Sequence, residues 1–261
     1  YKRRWIRTLP LYFITLIMIA SLFSDLGGKD FFKYLFFIQK ITPNFLNNDY
    51  YPVAWSLSIE EFFYLLFPLI LILLGKNNIL IKVIILFFSI LIIKSFLAFN
   101  FDSDFFRTGT LFRFDAILLG FILKFYYEKI LKYKFLSLFL LMFFLSVFYF
   151  GESYILNNNE EFLTKIFFII LLQVLSLLTL NSFIILEPLM KINFIKNFSV
   201  LISKQTYSVY LIHIIFIYLL EKAQFGIYNT MLIYILLLFI SSSLIFKFIE
   251  SPLLKIRPKL Q

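Results

Sequence analysis

The sequence has no cysteine and one histidine, His213, among its 261 residues. Without cysteine, the chain has no disulfide bond, no thiol nucleophile and no thiolate metal ligand, and one histidine cannot form a multi-histidine metal site. Charged residues make up 15% of the chain, compared with about a quarter in typical soluble domains. With seven glycines and seven prolines, the chain also has no Gly/Pro-rich linker that would separate a second domain.

Apolar residues make up 61% of the sequence, phenylalanine occurs 38 times, and the mean hydropathy is +0.90. A membrane-spanning helix needs roughly 17–25 mostly apolar residues, and we find eight such segments. We therefore expect an all-α fold, a polytopic transmembrane helix bundle with about eight spans and a single domain over residues 1–261. Residues 31–41 are too short to span and are expected to lie at the membrane interface. The expected spans are residues 9–26, 55–74, 79–99, 110–126, 135–150, 164–186, 206–222 and 229–249.

The basic residues predict how these spans are oriented. When the eight spans are threaded in turn, most of the 25 Lys and Arg residues fall on the side of the N-terminus, and most acidic residues fall on the other side. Since positive residues collect in cytoplasmic loops, both termini are expected in the cytoplasm. The net charge of +10 then reflects orientation, and the absence of a solvated basic domain argues against nucleic-acid binding.

The stretch WSLSIEEFFYLLFP places two adjacent acids, Glu60 and Glu61, at the start of a long apolar run. Ser58 and Glu61 fit an S-x-x-E capping box, in which both side chains bind free backbone amides at a helix N-terminus. This capping role explains Glu61 better than Glu60. Because an ionisable residue in a membrane segment is a functional candidate, Glu60 is the stronger catalytic candidate, with a structural role as the alternative.

Arg113 and Asp115, in TLFRFDAILLGF, are also charged residues within an expected span. They are two positions apart, so on a helix they point in different directions and should pair with neighbouring helices rather than with each other. We expect Arg113 to contact Glu60, since this would lower the cost of burying both charges; the pair would be either structural or part of a polar cavity. Lys94 and Lys165 are expected to reach the nearer interface with their long side chains and to have no functional role.

Arg4 and Arg7 lie in the N-terminal stretch RRWIR, three positions apart, so both can face one anionic ligand from the same side of a helix. Alternatively, these arginines only anchor the helix at the cytoplasmic face. His213, in TYSVYLIHIIF, is either hydrogen-bonded to a neighbouring helix or a general base or polar contact for a substrate. A serine-hydrolase triad is not expected because the sequence has no G-x-S-x-G motif.

Taken together, five stretches resemble the acyltransferase type 3 family of integral membrane acyltransferases. In chain order they are RRWIRTLPLYF, VAWSLSIEEFFYLLFP, FRFDAILLGF, SKQTYSVYLIHIIF and FKFIESPLL. The resemblance implies that Glu60, the first acid of the WSLSxE motif, is catalytic together with Arg113 and Asp115 of the RFD-like element. It also implies that three further residues bind substrate: Arg4, Arg7 and His213.

The implied activity is transfer of an acyl group, by analogy acetyl, from acyl-CoA to a hydroxyl of a cell-surface glycan or lipid-linked saccharide, in a bacterial inner membrane and without a metal. Family members usually begin with two further spans and a histidine regarded as the catalytic base. This chain therefore resembles a member truncated at its N-terminus, and the fragment alone is expected to lack that base. The sequence is also compatible with two other functional classes of membrane protein: a transporter or flippase for a lipid-linked glycan, and a structural membrane subunit.

Overall fold

The computed structural model describes residues 1–75, 77–158, 161–221, 227–256 and 258, without the side chains of residues 156 and 227. Over these ranges the chain is helical and contains no strand, which confirms the all-α prediction. Three 3-10 turns, Pro52–Ala54, Leu111–Arg113 and Ile184–Lys191, and one π-helical turn, Phe246–Glu250, connect or extend the α-helices in these ranges. In chain order the α-helices are α1 (Lys2–Leu22), α2 (Lys29–Leu35), α3 (Trp55–Leu74), α4 (Ile79–Leu97), α5 (Ser103–Thr108), α6 (Phe114–Leu131), α7 (Lys134–Asn157), α8 (Phe162–Phe183), α9 (Asn193–Glu221), α10 (Ile227–Ile245) and α11 (Ser251–Ile256).

Seven helical segments in the described ranges are long and apolar enough to cross a membrane by length and composition. They correspond to α1, α3, α4, α7, α8, α9 and α10, the last continuing through α11, so seven of the eight expected spans are found. The remaining expected span, residues 110–126, corresponds to α6, whose 18 residues include Asp115, Lys124, Glu128 and Lys129. This charge content is why α6 does not qualify by composition. The expected interfacial segment, residues 31–41, overlaps α2, which at seven residues is too short to span.

Contacts between helices divide the chain into two compact units. The first unit comprises Tyr1–Gln39, Leu46–Trp55 and Phe194–Gln261, so it contains α1, α2 and the helices from α9 onward. The second unit comprises Lys40–Phe45 and Ser56–Asn193, and it contains α3 to α8. Each unit is a set of helices joined by side-chain contacts of its own.

Buried tyrosines connect the helices of the first unit. Tyr12 Oη on α1 donates to the Tyr34 carbonyl oxygen at 2.8 Å, and Tyr34 Oη donates to Asp49 Oδ1 at 2.5 Å. Tyr51 Oη donates to the Leu211 carbonyl oxygen on α9 at 3.2 Å. Because a tyrosine buries a large apolar ring while its hydroxyl reaches a polar acceptor, this network fixes both α1 and α9 against the segment that precedes α3.

The second unit is built around the pairing of α7 with α8 and of α4 with α6. A short connection joins α7 to α8, so the two helices form an antiparallel hairpin. Between α4 and α6 lies α5, whose N-terminus is capped by Asp102, since the Asp102 side chain accepts a hydrogen bond from Phe105 N at 3.2 Å. Gly109 ends α5; a Cβ at this position would lie 2.7 Å from the Phe105 carbonyl oxygen, so the turn requires glycine.

The π-helical turn Phe246–Glu250 continues α10 and leads into α11. In such a turn each amide bonds to the carbonyl five residues earlier, which accommodates one more residue than a regular α-helical turn, and such turns are frequent at functional sites. Pro252, the second residue of α11, follows the turn. Glu250, the last residue of the turn, is buried in the first unit.

The capping box predicted at Ser58 and Glu61 is wrong. α3 begins at Trp55, directly after the 3-10 turn Pro52–Ala54, so Ser58 lies inside the helix and is fully buried. Pro52 has a fixed φ that suits a helical start, and the chain enters the helix three residues earlier than Ser58 would allow as a cap. Glu61 therefore needs an explanation other than N-terminal capping.

Candidate functional site

Glu60 and Glu61 lie on the second turn of α3, in the second unit. The Glu60 side chain is exposed, whereas Glu61 is partly buried. The contact expected between Glu60 and Arg113 stays a prediction. An exposed carboxylate can take up a proton or accept a hydrogen bond from a bound substrate without displacing a packed helix, so Glu60 keeps the chemical properties of a candidate base or orienting group.

A buried ion pair lies in the second unit. Lys94 on α4 is 3% exposed and Asp115 on α6 is 0% exposed, and Lys94 Nζ donates to Asp115 Oδ2 at 2.9 Å. Gln173 Nε2 on α8 donates to the same oxygen at 2.7 Å, and Ala116 N donates to Asp115 Oδ1 at 2.7 Å. Both carboxylate oxygens are therefore hydrogen-bonded, which makes a buried charge tolerable. Asp115 connects α4, α6 and α8, and its partners lie on neighbouring helices, as expected.

Lys94 does not extend to the membrane interface, so the expectation for this residue is wrong. Besides its bond to Asp115, Lys94 Nζ donates to the Phe112 carbonyl oxygen at 3.0 Å and lies 5.2 Å from the centroid of the Phe106 ring. Lys165 is also buried, with 7% exposed, and its Nζ donates to the Phe101 carbonyl oxygen at 2.7 Å. Both ammonium groups are held inside the second unit by backbone acceptors close to α5.

Arg113 ends the 3-10 turn that precedes α6. Its Nη1 atom is buried and has no hydrogen-bond partner in the part of the chain that the structure describes. A buried donor without a partner costs about 1–3 kcal/mol, and more when it is charged. A guanidinium nitrogen in this state is suited to an oxygen that carries or develops negative charge.

The N-terminus of α1, in the first unit, carries three arginines. Arg3 Nε and Nη1 are buried and have no hydrogen-bond partner among the described residues. Arg4 is partly buried and Arg7 is exposed. Arg7 is three positions from Arg4 and four from Arg3, so the three side chains lie near one side of the first two turns of α1. Arg4 and Arg7 were predicted from the sequence to bind substrate, but Arg3 was not.

Glu250 links three elements of the first unit. Its side chain accepts a hydrogen bond from Ser208 Oγ on α9, and the residue is 6% exposed. The positive charge of Arg7 on α1 also acts on the Glu250 carboxylate. The π-helical turn therefore directs an acidic side chain towards α9 at the end of the unit that carries the N-terminal arginines.

His213 is partly buried on α9 and belongs to the first unit. Its Nδ1 lies 2.7 Å from the Tyr210 carbonyl oxygen, and since a carbonyl oxygen can only accept, Nδ1 is the donor. In the neutral imidazole, Nε2 is then the unprotonated nitrogen. Tyr210 Oη in turn donates to the Val53 carbonyl oxygen at 2.5 Å, so the backbone that orients His213 is itself held in place.

The predicted site residues are divided between the two units. Glu60, Arg113 and Asp115 belong to the second unit, and Arg4, Arg7 and His213 belong to the first. Lys94 and Gln173 were missed because their link to Asp115 joins residues far apart in the sequence; opposite charges on successive spans were the available signal. Among the residues that the structure describes, no group of three or more His, Asp or Glu side chains could hold a metal ion.

The chain matches the model of a protein family over most of its length. The model of the acyltransferase domain family, the type 3 acyltransferases, matches residues 1–249. The matched segment contains every predicted site residue and extends through most of the π-helical turn. Searches of curated proteins and of solved structures gave no significant match.

Proposed function

Because this chain belongs to the type 3 acyltransferase family, we propose that it transfers an acyl group, most simply acetyl, from acyl-CoA to a hydroxyl of a cell-surface glycan or lipid-linked saccharide. The family match over residues 1–249 is the observation that carries the proposal. The apolar helices and the family together make the chain an integral membrane acyltransferase. We also propose the details: acetyl as the acyl group, acyl-CoA as the donor, a saccharide as the acceptor, and a bacterial inner membrane with both termini in the cytoplasm.

The arginines of α1 fit the phosphate groups of acyl-CoA. Arg3 has two buried guanidinium nitrogens without a partner in the described chain, and Arg4 and Arg7 add two positive charges nearby. Guanidinium groups bind phosphate oxygens through paired hydrogen bonds, which suits this donor set. When bound, acyl-CoA supplies an activated thioester; the arginines bind and orient it from the side that the charge distribution assigns to the cytoplasm.

The second unit supplies the groups for the transfer itself. Arg113 Nη1 is a buried donor that can stabilise negative charge on the carbonyl oxygen of the acyl group. Asp115 is fully buried and bonded to Lys94 and Gln173, so it holds the start of α6, and with it Arg113, in position. Glu60 accepts the proton of the acceptor hydroxyl or orients the base that does so.

His213 is proposed to bind substrate rather than to remove the proton. Its Nδ1 donates a hydrogen bond to the Tyr210 carbonyl oxygen, so Nε2 is the atom that would accept a hydrogen bond from a hydroxyl or amide of the substrate. The fixed ring orientation favours such a defined contact.

The experiment is acetyl transfer in membranes of cells that express the full reading frame, with radiolabelled acetyl-CoA and measurement of label in the glycan fraction. We expect label in glycan, and we expect Glu60→Gln to lower incorporation about 100-fold or more, since general base catalysis contributes 10²–10⁴-fold. Glu61→Gln, the adjacent change of the same chemistry, is the control and should stay within about threefold of wild type.

The outcomes separate the function classes. If Glu60→Gln leaves incorporation unchanged, the role of Glu60 is wrong. If the wild-type membranes transfer no label but move lipid-linked glycan across the bilayer, the transporter alternative replaces the acyltransferase proposal.

A further inference from the structure

A cavity of about 330 Å³ lies inside the second unit, at one end of its helices. Its walls come from α5, the last turns of α7 and the first turns of α8. This volume is near the lower end of the range for small-molecule sites, roughly 300–1,000 Å³. It suits one ring-sized group rather than an extended chain.

Three phenylalanine side chains line the cavity. Phe148 on α7 and Phe168 on α8 both line it, with ring centroids 6.4 Å apart and ring planes inclined by 27°. Phe106 on α5 also lines the cavity, is 2% exposed, and packs against Phe112 at a centroid distance of 5.7 Å. Lys94 Nζ lies 5.2 Å from the centroid of the Phe106 ring, so the buried Lys94–Asp115 ion pair packs against this lining residue.

The cavity lining also includes two acids and two bases, Asp104, Glu152, Arg107 and Lys165. Asp104 Oδ1 accepts from Arg107 Nη2 at 3.1 Å, and Asp104 Oδ2 accepts from Lys40 Nζ at 3.3 Å. Burial raises the pKa of Asp104, but its hydrogen bonds to Arg107 and Lys40 outweigh this and hold the pKa below its usual range. The cavity lining therefore presents charges of both signs in equal number.

The balanced charge decides between ligand classes. Arg107 and Lys40 already bind Asp104, and Lys165 already binds the Phe101 carbonyl oxygen, so a phosphate or carboxylate beside the two acids gains little net attraction. A cation would in turn lie beside Arg107 and Lys165. A fatty acyl chain would remove water from the half-exposed Asp104 and Arg107 side chains without giving them hydrogen bonds in its place, which costs free energy. An uncharged sugar ring has hydroxyls that donate and accept on its edge and apolar C–H groups on its face, so it can contact both the charged and the aromatic lining residues.

We propose that this cavity binds one uncharged sugar unit of the acceptor saccharide, with the ring face against Phe148 and Phe168 and hydroxyls towards Asp104 and Glu152. The proposal rests on the acyltransferase function proposed above, because that function requires a saccharide acceptor. It assigns the acceptor to residues of α5, α7 and α8, outside the motifs that carry the family resemblance.

The test is saturation-transfer difference NMR on the full-length protein in phosphatidylcholine nanodiscs without acyl-CoA. The probes are methyl α-D-glucopyranoside, methyl α-D-galactopyranoside and methyl N-acetyl-β-D-glucosaminide, with glycerol 3-phosphate as an anionic comparison. We expect transfer to at least one glycoside, and glycerol 3-phosphate, which the arginines of α1 can bind, should not reduce it. Transfer to none of the three glycosides, or loss of the glycoside signal when glycerol 3-phosphate is added, overturns the proposal.

Matched variants locate the binding. Phe168→Leu should weaken glycoside binding roughly three- to tenfold through loss of the aromatic face. Phe167→Leu is the control, since Phe167 is the preceding residue, is 49% exposed and does not line the cavity. Equal affinities of the two variants contradict the proposal. Glu152→Gln, at an exposed position that tolerates substitution, should also weaken glycoside binding, and unchanged binding contradicts the contact assigned to Glu152.

The two proposals fail in different ways. If glycosides bind in the nanodiscs but no acetyl label reaches glycan in membranes, the acyltransferase function is wrong and the sugar site stands. If label is transferred and Phe168→Leu leaves the KM for the acceptor unchanged, the function stands and the cavity is not the acceptor site.

Discussion

The buried pair of Lys94 and Asp115 gives the sharpest prediction about stability. Lys94→Met keeps the length of the side chain and removes the charge, so Asp115 keeps its bonds to Gln173 and to the backbone but loses its counter-ion. Removing one partner of a buried ion pair costs about 3–5 kcal/mol, because the other charge stays buried. With the two residues 3% and 0% exposed, solvent cannot compensate, so we expect a loss in that range.

The double variant Lys94→Met with Asp115→Leu separates the charge effect from packing. Removing both charges removes the uncompensated ion, and Gln173 Nε2 then loses its acceptor, which costs about 1–3 kcal/mol. The Phe112 carbonyl oxygen loses its lysine donor in both variants, so this loss cancels in the comparison. The double variant should therefore be more stable than Lys94→Met alone, a non-additive result that only coupled residues give.

The assay is equilibrium unfolding of the purified protein in detergent micelles by titration with sodium dodecyl sulfate, followed by circular dichroism. Ser89→Ala is the control on the same helix, because Ser89 is only partly buried and its hydroxyl bonds to the Ile85 carbonyl oxygen of its own helix; it should change the free energy of unfolding by less than about 0.5 kcal/mol. A loss below about 1 kcal/mol for Lys94→Met, or a double variant less stable than Lys94→Met, would refute the reasoning.

Three further predictions concern other groups. Arg113→Lys keeps the charge but loses the planar donor, so acetyl transfer should fall about 100-fold, as for removal of an oxyanion donor; an activity within threefold of wild type, measured by label incorporation, would contradict this. Ser208→Ala leaves the buried Glu250 without its hydroxyl donor and should destabilise the protein by about 1–3 kcal/mol in the same unfolding assay, whereas Ser203→Ala, at an exposed position on the same helix, should not. Burial raises the pKa of Asp30, but hydrogen bonds from a lysine and two backbone amides outweigh this and lower its pKa overall. The contribution of Asp30 to the free energy of unfolding is therefore fully present above the unfolded Asp pKa of about 3.9, and it is lost as the pH falls through the lower folded value. Asp30→Asn should remove this part of the acid dependence, and identical pH profiles of stability for the variant and wild type would contradict it.

The helical fold follows from the sequence because hydropathy over a span is a local property. In a membrane, a stretch such as ILIKVIILFFSILIIKSFL has to form a helix, because all its backbone N–H and C=O groups need hydrogen-bond partners within the segment. The helix α4 could therefore be predicted without its neighbours. The expectation that Asp115 pairs with a neighbouring helix is confirmed for the same reason, since a buried carboxylate needs a partner.

The errors have a common physical origin in contacts that a local pattern does not contain. Lys94 could equally have reached the interface, and only the position of Asp115 on α6 decides that it stays buried. Ser58 and Glu61 match a capping pattern, yet the turn at Pro52 starts the helix earlier and removes the free amides that a cap would bind. The arginine with two unpaired buried nitrogens is Arg3, and no periodicity distinguishes it from Arg4.

The π-helical turn Phe246–Glu250 has a consequence for insertions and deletions in the chain. The turn contains one residue more than an α-helical turn, so deleting one residue, such as Phe248, would restore a regular helix there. Each residue of an α-helix advances the chain by about 100°, so everything after the deletion would be rotated by about that angle relative to α10. Substitutions in this turn are therefore expected to destabilise the protein far less than a single-residue deletion. The number of residues in the turn, more than their identity, keeps the turn and α11 in the orientation that contacts α9.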